Sequence, residues 1–313
     1  MDLSQYKAKG KLDNKHLLTL KDYSIGEIYE ILARAVKLKD MNRRGKKQNY
    51  LKGKTVALIF AKSSTRTRVS FEQGVRQLGG TPLFLSSNDI QLGRGETIHD
   101  TVKVLERYGI DAIMIRTFKQ SDLEELAEFG TIPIINGLTD DFHPCQVLAD
   151  LLTVYERFGR LEGLKFAYFG DGNNMANSLM LGGTKVGMKV YICSPKGYEP
   201  KEEIVKEAAR FGQVVVTDSV EEAASGADVL YTDVFFSMGQ EKDKEKTDAL
   251  MPYQVNESVM AMASPDAIFM HCLPAHRGEE VTSGVIDSPR SVIFEEAENR
   301  LHAQKAVMSL LIK

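Results

Sequence analysis

The stretch VALIFAKSSTRTRVSFEQGVRQLGGTPLFLS, residues 56–86, decides the fold. Val56 to Phe60 is a short β-branched, apolar run that reads as a buried strand. Thr65 to Leu78 reads as a helix stopped by Gly79-Gly80, and Leu83 to Ser86 returns to strand. Working outward, the alternation continues. Thr97 to Tyr108 is a helix and Ala112 to Ile115 a strand; Ser121 to Phe129 is a helix and Ile132 to Ile135 a strand. Upstream, Ser24 to Lys39 has helical apolar spacing, with Ser24 and Glu27 placed as a capping box. Strand and helix in strict turn are the signature of a parallel sheet.

After an unusually apolar helix, Pro144 to Phe158, the pattern restarts. Strands are expected at Lys165–Phe169, Lys189–Cys193, Gln213–Thr217, Val229–Thr232 and Ala267–Met270. Helices are expected at Asn174–Val186, Lys201–Phe211 and Val220–Ser225. Gln240 to Asp248 mixes charges and reads as a solvated loop, and Glu298 to Leu311 as a final helix. The fold class is therefore α/β: two doubly wound parallel-sheet domains in tandem. Their boundary falls near residues 140–160, and the active site is expected in a cleft between them.

Composition narrows the function classes. The 313 residues hold 40 Lys and Arg against 43 Asp and Glu, a net charge of -3, which excludes a strongly basic nucleic-acid binder. Three cysteines, Cys145, Cys193 and Cys272, have no C-x-x-C spacing, so neither a disulfide framework nor a cysteine-rich zinc module is expected. No histidine pair has metal-ligand spacing. His16, His99 and His302 lie on amphipathic or polar stretches and are expected at the surface. Met1 to Lys11 lacks an apolar core and a small-residue cleavage site, and no apolar run approaches a membrane span. A cytoplasmic enzyme without a membrane or nucleic-acid partner is the expectation.

In doubly wound sheets ligands sit beyond the carboxyl ends of strands. Ser63-Ser64-Thr65-Arg66-Thr67-Arg68 follows the first strand and combines a helix N-terminus with hydroxyls and two arginines, the chemistry of a small-phosphate cradle. A capped helix with two surface arginines would look the same. Gly170-Asp171-Gly172-Asn173-Asn174 lacks the third glycine of a dinucleotide turn, and no acid follows the next strand to hold a ribose. It is a tight turn that starts a helix, with a ligand contact from Asn174 open. His143 is either a cap for its helix or a donor to a carbonyl oxygen. Asp233 is either a strand-end cap or the anchor of a substrate ammonium. Cys272 is a small buried residue or a substrate contact. His271 beside it should point the opposite way along an extended segment, so the two are not read as a nucleophile pair.

Together, Ser64-Thr65-Arg66-Thr67-Arg68 with Phe71-Glu72-Gln73-Gly74 and His143-Pro144-Cys145-Gln146 resemble the carbamoyl-phosphate signature of the aspartate/ornithine carbamoyltransferase family. Gly170 to Asn174, Asp233 to Gly239 with Ser237-Met238-Gly239, and His271-Cys272-Leu273-Pro274 are similar to its ornithine branch. The late motif carries Cys272 where the aspartate branch has H-P-L-P, and the loop from Gln91 to Thr97 lacks that branch's lysine. The resemblance runs from about residue 10 to the C-terminus.

The resemblance implies transfer of a carbamoyl group from carbamoyl phosphate to the δ-amine of L-ornithine. The products are citrulline and phosphate, a step of arginine biosynthesis or, in reverse, of arginine catabolism. Putrescine or an N-acylated ornithine is the alternative acceptor. Residues 1–145 would bind carbamoyl phosphate, with 298–313 packing back on them, and residues 146–297 would bind ornithine. Ser64, Thr65, Arg66 and Thr67 would hold the phosphate. Arg116, His143 and Gln146 would reach the carbamoyl group, with Gln91 and Arg300 completing the site. Ornithine would meet Asn174, Asp233, Ser237 and Met238, and Cys272 with Leu273 would line the reacting end. Arg116, His143 and Cys272 are the catalytic candidates. The loop hinged at Gly239 is expected to close over ornithine. No cofactor and no metal are implied, and the family resemblance implies a homotrimer or an assembly of trimers.

Overall fold

A computed structural model describes residues 3–86, 95–236 and 243–313. Gln91, Arg94, Ser237, Met238 and Gly239 lie outside the described residues. The chain forms two compact units, one of Asp2–Leu152 with Asn299–Lys313 and the other of Thr153–Glu298.

The first unit contains β1 (Thr55–Phe60), β2 (Thr81–Ser86), β3 (Ala112–Arg116) and β4 (Ile134–Leu138), all parallel in the order β2-β1-β3-β4. Its helices are α1 (Ile25–Arg43), α2 (Thr65–Gln77), α3 (Ile98–Arg107), α4 (Gln120–Phe129) and the first part of α5 (Pro144–Phe158). The winding direction reverses between β1 and β3, where Phe60 pairs with Arg116. That reversal opens a crevice at the carboxyl ends of the two strands, into which α2 and Arg116 are delivered. The β3–β4 register shifts between Ile115 and Arg116, an irregularity of the kind that re-aims a strand-end side chain. Ala57, Ile59, Ile113, Ile115 and Ile134 form the core beneath α3 and α4 with Val102, Leu123 and Leu126.

The second unit holds β5 (Lys165–Phe169), β6 (Lys189–Cys193), β7 (Val214–Thr217), β8 (Val229–Thr232) and β9 (Ile268–His271), parallel in the order β7-β6-β5-β8-β9. Its helices are α6 (Asn174–Lys185), α7 (Glu202–Ala208), α8 (Val220–Ala224), α9 (Lys244–Leu250), α10 (Glu257–Met262), α11 (Ser283–Ile286) and the start of α12 (Ile293–Leu311). Here the reversal falls between β5 and β8, where Phe169 pairs with Thr232. The turn after β5 and Asp233 after β8 therefore meet at a second crevice. Among the described residues no helix is long and apolar enough to cross a membrane.

Ser24 and Glu27 form the expected reciprocal cap of α1. Several expectations are corrected. Residues 244–250 are helix α9, not loop: Asp243 caps it by accepting from the Glu245 and Lys246 N–H groups, and Leu250 is buried. Lys246 is paired with Asp171 at 2.7 Å. The final helix starts at Ile293 rather than Glu298, with Glu295 and Glu296 in the first turn where the helix dipole favours them. Arg300 therefore lies about two turns into the helix rather than in its first turn. His302 is buried, on the face of α12 that also buries Asn299 and Ala303. Gly74 of α2 lies against another side of α12, where a Cβ would stand 3.1 Å from the Met308 side chain and 3.3 Å from that of Lys305, a fit tight enough that those side chains would have to shift. Lys305 is buried and donates to Gln77 at 2.7 Å, and burial pushes its ammonium down to about 8.

His16, expected at the surface, is instead half-buried, because its Nδ1 accepts the Ile134 N–H at 3.1 Å. Burial, then the Lys15 cation, lowers it from 6.5 to about 4. A lowered histidine contributes stability that is present above pH 6.5 and lost as pH falls from there toward about 4, because the unfolded chain takes the proton first. His16→Asn keeps an acceptor but cannot titrate. Between pH 7 and pH 4.5 it should lose about 1–2 kcal/mol less stability than the parent, allowing for partial exposure. Denaturant unfolding at the two pH values measures this, and equal losses would refute it.

Candidate active site

In the first unit the site is built on the N-terminus of α2. Ser64 is the N-cap, with its hydroxyl accepting the Thr67 N–H at 3.2 Å. Thr65, Arg66 and Thr67 form the first turn, where unpaired N–H groups and the helix dipole favour an anion. Thr67 is buried, and its Oγ1 accepts from Arg300 Nη2 at 3.3 Å. The other arm of Arg300, Nη1, donates to Gln146 Oε1 at 2.5 Å, and Gln146 Nε2 donates to Asp150 at 2.8 Å. One buried guanidinium thus joins the start of α2 to the first turn of α5.

His143 directly precedes α5 and is buried, as is Arg116 at the end of β3. Its imidazole is held well below the usual histidine range, first by burial and then by the Arg300, Arg116 and Arg66 cations. The ring is consequently neutral near pH 7 and offers a donor without competing for the anion. The structure brings Ser64, Thr65, Arg66, Thr67, Arg116, His143, Gln146 and Arg300 into this unit's crevice. Arg68 goes elsewhere: it pairs with Glu72 at 2.8 Å and lies 3.6 Å over the Phe84 ring, whereas the Arg66 cation bears on His143.

In the second unit, Gly170 has φ +128 and a Cβ on Gly172 would come within 2.2 Å of the Pro200 nitrogen, so both glycines serve the turn itself. Asn173 is the N-cap of α6 and also donates through Nδ2 to Asp233 Oδ2 at 3.0 Å, across the β5–β8 reversal. Asp233 Oδ1 accepts the Val234 N–H at 2.8 Å and the Cys272 thiol at 3.0 Å. These bonds fix the carboxylate's orientation, and Asn174 starts α6 beside it. Tyr168 donates to the Asp171 carbonyl at 2.9 Å beneath the turn; burial, then Asp233 and Asp171, raises its phenol well above 10. Leu273 follows Cys272 with φ +57, a left-handed backbone that costs a non-glycine residue about 1–2 kcal/mol.

Asp233, His271 and Cys272 present potential metal-ligand atoms within 4.8 Å of one another, as do His276, Glu279 and Glu280. The imidazole thus comes nearer the thiol than alternation along a strand suggests. Its nitrogens nevertheless bond Leu273 and Glu280, and the thiol bonds Asp233, so no Cys–His nucleophile pair forms. Sequence reasoning missed Asn173, Glu280 and Glu296. Asn173 stood in the quoted turn and was readable as an N-cap; the two glutamates gave no local signal.

The family description "Aspartate/ornithine carbamoyltransferase, carbamoyl-P binding domain" matches residues 15–156, and its Asp/Orn binding domain matches residues 162–311. The chain is 58% identical over 308 residues to ornithine carbamoyltransferase of Anoxybacillus flavithermus, covering 96% of this chain and 98% of the relative. It is 54% identical to that of Bacillus subtilis, covering 96% and 95%. The solved ornithine carbamoyltransferase of Pyrococcus furiosus matches with a TM-score of 0.93 at 51% identity, covering 96% of this chain and 98% of that one. With both domain patterns matched in order and more than half the residues shared along nearly the whole length, the chain belongs to the aspartate/ornithine carbamoyltransferase family, on its ornithine carbamoyltransferase branch.

Proposed function

We propose that the protein transfers the carbamoyl group of carbamoyl phosphate to the δ-amine of L-ornithine, giving L-citrulline and phosphate. The observation that carries this reading is the set of three arginines, Arg66, Arg116 and Arg300, gathered about a buried neutral imidazole at a capped helix N-terminus. Three cations about one uncharged ring suit a multiply charged anion, and the neutral imidazole leaves a donor for a carbonyl oxygen beside it. In this reading Ser64, Thr65, Arg66 and Thr67 bind the phosphoryl oxygens, Arg116, His143 and Gln146 reach the carbamoyl group, and Gln91 and Arg300 complete the site. Asn174, Asp233, Ser237 and Met238 hold ornithine, Asp233 receiving its α-ammonium. Cys272 and the Leu273 backbone flank the reacting amine.

The neutral δ-amine attacks the carbonyl carbon and a C–N bond forms. Arg116 and the His143 N–H stabilise the tetrahedral oxyanion, where preorganised donors gain most. The C–O bond to phosphate then breaks, phosphate leaves with the electron pair, and the amine nitrogen passes its proton to the departing phosphate. The nucleophile is the substrate, so Cys272 forms no covalent bond, and no step calls for a metal or organic cofactor. An alkylammonium titrates near pH 10, so turnover rises with pH above neutrality. A cytoplasmic homotrimer, or an assembly of trimers, is the proposed form.

The test supplies carbamoyl phosphate with ornithine, putrescine, N-acetylornithine or aspartate and measures the carbamoylated product. Citrulline should dominate; a higher kcat/KM with another amine would overturn the assignment. Cys272→Ala removes the thiol that donates to Asp233. It should lower kcat/KM for ornithine by about 10–100-fold, with measurable turnover left and KM for carbamoyl phosphate within about twofold. Steady-state kinetics in both substrates check this, and complete inactivity would point to covalent chemistry instead.

A further inference from the structure

His271 ends β9 and precedes Cys272, yet its side chain is fully buried and the reaction proposed for the site does not use it. Its two ring nitrogens have different partners. Nδ1 faces the Leu273 N–H at 2.9 Å, and a nitrogen that accepts from an amide carries no proton. The ring proton therefore sits on Nε2, which faces Glu280 Oε1 at 3.2 Å. Glu280 is also fully buried, and the same oxygen accepts the His276 N–H at 2.5 Å. From the other side, the His271 N–H donates to Glu296 Oε2 at 2.9 Å, and Glu296 Oε1 accepts the Tyr231 hydroxyl at 3.2 Å.

Residues 271–276 are thus fastened at their first and last members by two buried carboxylates. Cys272 and Leu273 stand between the fastenings. Leu273 is the one non-glycine residue with positive φ among the described residues, and the acceptor for its N–H in that conformation is the imidazole. Its neighbour Cys272 is the residue whose thiol meets Asp233.

We propose that His271, held in its Nε2-protonated form by Glu280, is a positioning residue for the amino-acid half-site: it holds Leu273 in the left-handed backbone and so aims the Cys272 thiol at Asp233. This rests on the reading of that half-site as the ornithine site. A merely structural His–Glu pair would support the fold of the unit and leave substrate discrimination between the two half-sites untouched.

Side-chain replacement separates the two roles. His271→Asn places an amide oxygen where Nδ1 stands and keeps an acceptor for Leu273. His271→Gln reaches toward Glu280 but offers nothing at the Nδ1 position, and His271→Phe keeps only the volume. His271→Gln and His271→Phe should raise KM for ornithine by about tenfold or more with KM for carbamoyl phosphate within about twofold, and His271→Asn should recover most of that loss. Thermal melting is recorded for all three. The proposal is overturned if His271→Gln keeps the parental KM for ornithine. It is also overturned if His271→Asn is no better than His271→Gln, or if both KM values rise together in step with lost stability. Should His271→Phe fail to fold, the Asn–Gln comparison decides. A parent protein that makes no citrulline overturns the ornithine reading itself; an active parent with unaffected variants overturns the positioning role alone.

Discussion

The Arg66→Ala variant is expected to bind carbamoyl phosphate about 10³-fold more weakly, because a forked guanidinium on a phosphoryl group makes two charge-assisted bonds of about 1.5–3 kcal/mol each. Arg66 stands in the first turn of α2, and its charge reaches His143. The N-cap of Ser64 on Thr67 does not depend on it, so the helix start should survive and the loss should be specific to the anion. Calorimetric titration with carbamoyl phosphate, or with inorganic phosphate, gives the affinity directly. A loss below about tenfold would remove Arg66 from the phosphate assignment.

The second large effect is expected at His143. His143→Phe keeps the buried ring volume and removes the donor. It should lower kcat by about 10²–10³-fold, the usual consequence of deleting one oxyanion donor, while carbamoyl-phosphate affinity changes by less than about tenfold. Burial and then the surrounding arginines hold the native imidazole far below 6.5, so it stays neutral across the working range. The parent's pH–rate profile should therefore show no limb near 6.5, and an acidic limb there that vanishes in His143→Phe would contradict this. The linkage has the same sign as for His16: the contribution is complete above pH 6.5 and drains as pH falls below it, since the unfolded histidine protonates first. His143→Phe should accordingly lose less stability on acidification than the parent.

Which parts of this were legible in sequence follows from how local their causes are. The strands Lys165–Phe169, Lys189–Cys193 and Val229–Thr232, and the helix Pro144–Phe158, fall where apolar runs and turn residues placed them. The places of Ser64 as a helix cap and Arg66 in the first turn were legible for the same reason, since a strand, a capping hydroxyl and a helix stand within a few residues of one another. What escaped depended on contacts between distant segments. α9 is charged along its length and declares itself only through the Asp243 cap, the buried Leu250 and the Lys246–Asp171 pair. His302 looked superficial because the burial of α12 is set by what lies against it. Glu280 and Glu296 are ordinary acids in sequence, and they acquire meaning only when β9 brings His271 to them.

Arg300 belongs to a unit whose other members, Thr67, Gln146 and His143, are all encoded before residue 153. A nascent chain translated as far as Glu298 possesses the helix start, Arg116 and His143, but not the guanidinium that bridges Thr67 to Gln146. The bridge from Thr67 to Gln146 thus forms late, after the whole second unit has been made. Any message truncated upstream of Asn299 would yield a protein lacking one of the three cations, however well the second unit folds.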